Sequence, residues 1–121
     1  MMTAFEYINE LSRTIHNQNK DVGWWDNRDV TDPIVVAGLI ALMHSELSEA
    51  LEGVRKDLMD DHLPHRKMVE VEFADTIIRI LDVSGALCLD IGGAIIEKLE
   101  YNRTRIDHQR ESRGQKNGKS I

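Results

Sequence analysis

The sequence predicts an all-α protein, a four-helix bundle completed by dimerisation. Three observations carry this. Aromatic residues are only 5% of 121, and long β-branched runs are missing, which disfavours a sandwich or barrel. Apolar residues recur at steps of three and four. Helix-start signatures stand at Thr3, Asp32 and Asp90.

The elements follow in order. Thr3 with Glu6 fits a capping box, and Ala4, Ile8, Leu11 and Ile15 form the apolar stripe of a first helix that fades near Asn19. Residues 20–32 hold Gly23, Trp24, Trp25 and several Asp and Asn, and read as an irregular connector. Asp32 followed by Pro33 starts a second helix, expected to end near Lys56. The stretch DLMDDHLP is a turn. A third helix is expected from His65 to Ala86. A fourth is expected from Asp90 to Gln109, weakened at first by Gly92 and Gly93. Residues 1–110 form one domain, and 111–121 a flexible basic tail with Arg113, Lys116 and Lys119.

Charge and cysteine count exclude several classes. Fifteen basic against 21 acidic residues leave −6, so a nucleic-acid surface is not expected. The lone Cys88 rules out an internal disulfide and a cysteine-built zinc site. The first residues lack a signal-peptide pattern, and no apolar stretch reads as membrane-spanning, so the expectation is a cytoplasmic protein.

The acidic residues are arranged rather than scattered. On a helical wheel, Val36, Leu39, Ile40, Met43, Leu47, Ala50, Leu51 and Val54 share one broad arc of the second helix. Ser45, Ser48, Glu52 and Arg55 fall opposite. Glu46 lies on the apolar arc, and Glu49 at its edge. A buried carboxylate needs a partner or a cation. The third helix carries Glu72 and Asp75 at the same spacing of three. The midpoints of Glu46/Asp75 and of Glu49/Glu72 coincide, between Asp60 and Asp61 in the turn. A short connection makes the helices antiparallel, so the four carboxylates converge at one height. Such a set calls for a hard divalent cation, Mg²⁺ or else Mn²⁺, and leaves coordination positions for phosphate. From the third helix alone, Glu72, Asp75, Arg79 and Asp82 read as an ordinary wet face. Glu70, not Glu72, lies nearer the middle of its apolar arc.

On the fourth helix Lys98, Asn102 and Arg105 share a face beside the stripe Ile91, Ile95, Leu99 and Ile106. They suit phosphate oxygens, or else form a solvated face paired with Glu97 and Glu100.

These motifs together resemble the MazG-like, all-α NTP pyrophosphohydrolases. The stretches HSELSEALEGVRK (44–56), VEFADTIIRILD (71–82) and KLEYNRTR (98–105) carry the resemblance, with GWWD (23–26) ahead of them. It implies Mg²⁺-dependent cleavage of a (d)NTP between its α- and β-phosphates, giving the monophosphate and pyrophosphate. It implies Glu46, Glu49, Glu72 and Asp75 as metal ligands, and Lys98, Asn102 and Arg105 on phosphates. It also implies a homodimer or homotetramer. Many members carry a further glutamate where this chain has Ser45. Glu46 or Glu49 is then the candidate catalytic carboxylate. Phosphoribosyl-ATP and dUTP or dCTP are alternative substrates within this superfamily. A non-catalytic helical interaction module is the alternative outside it.

Trp25 is a candidate for stacking on a base, or else it plugs the bundle end with Trp24. His16 and Asn17 read as surface residues, and His62 and His65 as solvated flanks of the turn. The wide apolar arcs of the second and third helices predict a symmetric dimer interface.

Overall fold

The computed structural model describes residues 1–115. Among them the chain is all-helical and has no strand. Its long helices are α1 (Ala4–Asp21), α2 (Pro33–Arg55), α3 (Met68–Ala86) and α4 (Ile91–Thr104). A 3₁₀ turn (Ile106–His108) and one helical turn, α5 (Arg110–Arg113), follow. Lys116 and Lys119 of the expected basic tail lie outside the described residues.

The starts of α1 and α2 obey local chemistry. The Thr3 hydroxyl accepts from the Glu6 N–H, and the Glu6 carboxylate accepts from the Thr3 N–H. The Asp32 carboxylate accepts from the Ile34 N–H, and Pro33 follows at a position that has no donor to satisfy.

Two boundaries differ from expectation. Helix α3 starts at Met68, three residues after His65. The turn consumes those residues. The Asp60 carboxylate accepts from the N–H groups of His62 and Leu63, and the Asp60 N–H donates to the Arg66 carbonyl at 2.9 Å. The Met68 N–H donates to the Leu58 carbonyl at 3.0 Å. Helix α4 ends at Thr104 rather than Gln109, because Arg105 is extended, with φ −69° and ψ 133°. The Gln109 side-chain amide turns back and donates to the carbonyls of Arg103 and Arg105, satisfying the broken end.

Helices α2 and α3 form an antiparallel hairpin, α1 packs on α3, and α4 packs on α1. Ser12 fastens α1 to α3 by donating to the Leu81 carbonyl at 2.6 Å in a buried position. Gly92 lets α4 meet α1 closely, since a Cβ there would stand 2.2 Å from the Phe5 carbonyl oxygen. Among the described residues the buried apolar ones are Leu39, Ala50, Leu81 and Val83. Much of the apolar surface stays outside. Ile40, Leu47, Leu51 and Val54 on α2, and Phe73, Ile77 and Ile80 on α3, are exposed.

One further expectation is corrected. Helix α2, at 23 residues, is long and apolar enough to cross a membrane by length and composition. In the fold it lies along α3, and it carries Glu46, Glu49, Glu52 and Arg55.

Candidate metal centre

The α2–α3 hairpin brings three of the four expected carboxylates together. One oxygen each from Glu46, Glu72 and Asp75 lie within 4.8 Å of one another. The Glu72 residue is only 7% exposed, and the Glu46 side chain 12%. Glu70 is exposed and pairs with Arg66, so the expected order of the two glutamates is reversed. The reason lies in what α3 buries. Its inward line is Glu72, Thr76 and Val83, while its apolar line Phe73, Ile77 and Ile80 faces out.

Glu49 sits at the rim. It is exposed, yet close enough to Glu46 for a side-chain hydrogen bond and to Glu72 for charge repulsion. With Glu72, Asp60 and Asp61 it lines a groove of about 460 Å³. Asp60 is buried in the turn, and its charge acts on Asp75. It extends the acidic set by one member that helix spacing does not reach.

The electrostatics follow from crowding. Burial pushes Glu72 up to about 8, helped by its hydrogen bond to Glu46 and by the charges of Glu49, Glu46 and Asp75. Burial also raises Asp75, with Glu46 adding to the effect and Arg79 opposing it. Glu46 goes the other way. Burial pushes it up, but hydrogen bonds from Glu72 and Arg79 outweigh that and hold it below the ordinary value. Glu72 Oε2 is buried and, among the described residues, has no hydrogen-bond partner. An all-oxygen donor set with one orphaned carboxylate oxygen suits Mg²⁺ or Mn²⁺.

Arg79 is the partner that helix spacing did not name for Glu46. Its Nε donates to Glu46 Oε1 at 2.8 Å. The residues stand 33 apart in sequence, so periodicity places each on its helix face without joining them.

Beside the cluster is a cavity of about 470 Å³, walled by Trp24, Trp25, Leu42 and Ile78 and reached by Glu46, Asp75 and Arg79. Trp25 is held there by Asp82, whose Oδ1 accepts from Trp25 Nε1 at 2.9 Å. The same carboxylate accepts from His16 Nδ1 at 2.9 Å and from Asn19 at 2.8 Å. A carboxylate only accepts here, so Nδ1 is the protonated nitrogen of His16. His16, expected at the surface, is therefore half-buried, and its ring meets Trp25 edge to face at 5.0 Å.

The expected phosphate-binding residues of α4 stay close, since Lys98 and Arg105 both lie over the Tyr101 ring, at 4.6 and 5.8 Å, but the helix itself stops short of Arg105. Arg105 lies beyond the helix end and pairs with Asp107. Lys98 is exposed over the Tyr101 ring at 4.6 Å, and Asn102 keeps a buried Oδ1 without a partner. Helix α4 packs mainly on α1, whereas the carboxylates sit on the α2–α3 hairpin.

Compared with family models, with curated proteins and with solved structures, the chain gives no match.

Proposed function

We propose that this chain is a Mg²⁺-dependent nucleoside triphosphate pyrophosphohydrolase of the MazG-like kind, converting a (d)NTP to the (d)NMP and pyrophosphate. The observation that carries the reading is the convergence of Glu46, Glu72 and Asp75, with a buried orphan oxygen, beside a Trp25-walled cavity. Glu46, Glu72 and Asp75 would hold the cation, with Glu49 beside them at the rim. The bound Mg²⁺ supplies Lewis acidity toward phosphate oxygens. Glu49, exposed and beside the cluster, would accept a proton from an attacking water. Trp25 offers its ring to the base. Lys98 and Arg105 neutralise phosphate charge from a second copy of the chain, and Asn102 donates its amide N–H to a phosphate oxygen.

The second copy has its own support. Ile40, Leu47, Leu51 and Val54 on α2 and Phe73, Ile77 and Ile80 on α3 stay exposed within one copy. A stable interface takes about 800 Å² per partner, and these two helix faces are the apolar surface offered to one. The proposed assembly is a homodimer through these faces, or a homotetramer built from two such dimers.

The Arg79–Glu46 pair favours a second reading, a non-catalytic helical interaction module. It gives Glu46 a partner without any cation. A panel of natural and modified (d)NTPs with Mg²⁺, scored for pyrophosphate against orthophosphate, separates the two. The enzyme reading expects pyrophosphate, abolished in Glu46→Ala. Orthophosphate alone refutes cleavage between the α- and β-phosphates. No turnover of any nucleotide supports the module.

A further inference from the structure

We propose that Arg79 is an exchangeable counter-ion: it neutralises Glu46 when no cation is held there, and it receives phosphate oxygens when substrate is bound. The phosphate half rests on the triphosphate reading above. The counter-ion half does not.

The pair is asymmetric. The Glu46 side chain is 12% exposed and fixed between helices, whereas that of Arg79 is 38% exposed and lines the cavity. Its bond to Glu46 uses one of five guanidinium N–H donors, and among the described residues no second acceptor takes the others. The cavity is also lined by Arg28, which lies over the Trp25 ring, but only Arg79 bonds a carboxylate of the cluster.

Charge decides what these donors are for. An anion that enters beside Glu46 and Asp75 is repelled unless cations stand between. The α4 cations are not brought to this hairpin within the chain: Lys98 lies over Tyr101, and Arg105 is taken by Asp107. A planar guanidinium matches phosphate oxygens in pairs, which an ammonium does not. A cation held by Glu46, Glu72 and Asp75 competes with Arg79 for Glu46. Once that competition loosens the ion pair, the guanidinium is free on the cavity side. Removing Arg79 therefore has opposite effects on cation and phosphate.

The test uses Arg79→Gln and Arg79→Lys, with Arg13→Gln on α1 as control, each checked for helicity by circular dichroism. Calorimetry follows Mg²⁺ binding to nucleotide-free protein, then inorganic triphosphate binding with Mg²⁺ present. Arg79→Gln is expected to bind Mg²⁺ about fivefold tighter and triphosphate about tenfold weaker, with Arg79→Lys intermediate for triphosphate. A fold defect weakens both, so opposite signs exclude it. Unchanged or weaker Mg²⁺ binding in Arg79→Gln, or unchanged triphosphate binding, overturns the proposal. So does a wild-type chain that binds neither probe. If Arg79→Gln loses helicity, Arg79→Lys decides: a several-fold loss for triphosphate supports the proposal, and parity overturns it. Wild-type protein that binds triphosphate through Arg79 but hydrolyses no nucleotide refutes the enzyme reading alone. Wild-type hydrolysis with Arg79→Gln unaltered in both titrations refutes the role of Arg79 alone.

Discussion

Glu72 on α3 faces Glu46 on α2 closely enough for the two carboxyls to share one proton. This sets the pH behaviour of the cation-free protein. Glu72 is raised to about 8 from an ordinary 4.5, and Asp75 is raised as well. Between about pH 4.5 and 8 the folded state holds a proton on Glu72 that the unfolded chain has released. Stability from these groups therefore falls as pH rises through that window. Glu46 is lowered, and its contribution is lost only on the acid side. Thermal melts without Mg²⁺ should show a Tm that declines from pH 6 to pH 9. Added Mg²⁺ should raise Tm more at pH 9 than at pH 6, since it replaces the shared proton. A Mg²⁺ effect independent of pH contradicts this.

Asp82 collects three donors from α1 and the connector: His16, Asn19 and Trp25. Asp82→Ala leaves all three without their acceptor and should cost about 2–3 kcal/mol. Urea melts give that value. Trp25 should also loosen, with tryptophan emission moving to longer wavelength. An unchanged spectrum would mean that Trp25 is held by packing alone.

The outward line Phe73, Ile77 and Ile80 is the apolar arc that the α3 wheel marks as a burial face. A charge there should block self-association. Light scattering of the wild type at micromolar concentration should give at least twice 13.8 kDa, and Ile77→Glu should give the monomer mass with α-helical circular dichroism retained. A monomeric wild type removes the dimer from the account.

Glu49 lies outside the trio of converging oxygens, so its substitution should separate chemistry from cation binding. Glu49→Gln is expected to lower kcat by about 10²-fold or more while changing Mg²⁺ affinity only a few-fold. Full activity in this variant eliminates Glu49 as the base.

How far the sequence could be read depended on the range of the interactions. The Thr3/Glu6 box and the Asp32–Pro33 start are local, and both helices begin where those residues place them. Equal distance from the turn was enough to bring Glu46 near Asp75 and Glu72, because a hairpin of two straight helices has one geometry. The end of α4 was not legible, since it depends on the Gln109 side chain folding back over four to six residues. Arg79 and Asp82 appeared as members of a wet wedge, but their partners come from α2, α1 and the connector. The inversion of Glu70 and Glu72 has a related cause. The wheel finds the apolar arc but does not say whether the chain itself or a second copy covers it.

With Mn²⁺ as a paramagnetic stand-in for Mg²⁺, a divalent cation site at Glu46, Glu72 and Asp75 can be titrated directly. Wild-type protein should quench the free-Mn²⁺ electron paramagnetic resonance signal saturably, Mg²⁺ should restore it by competition, and Glu72→Gln should weaken binding about tenfold or more. A free-Mn²⁺ signal undiminished by the wild type, or equal binding by Glu72→Gln, contradicts a cation site there.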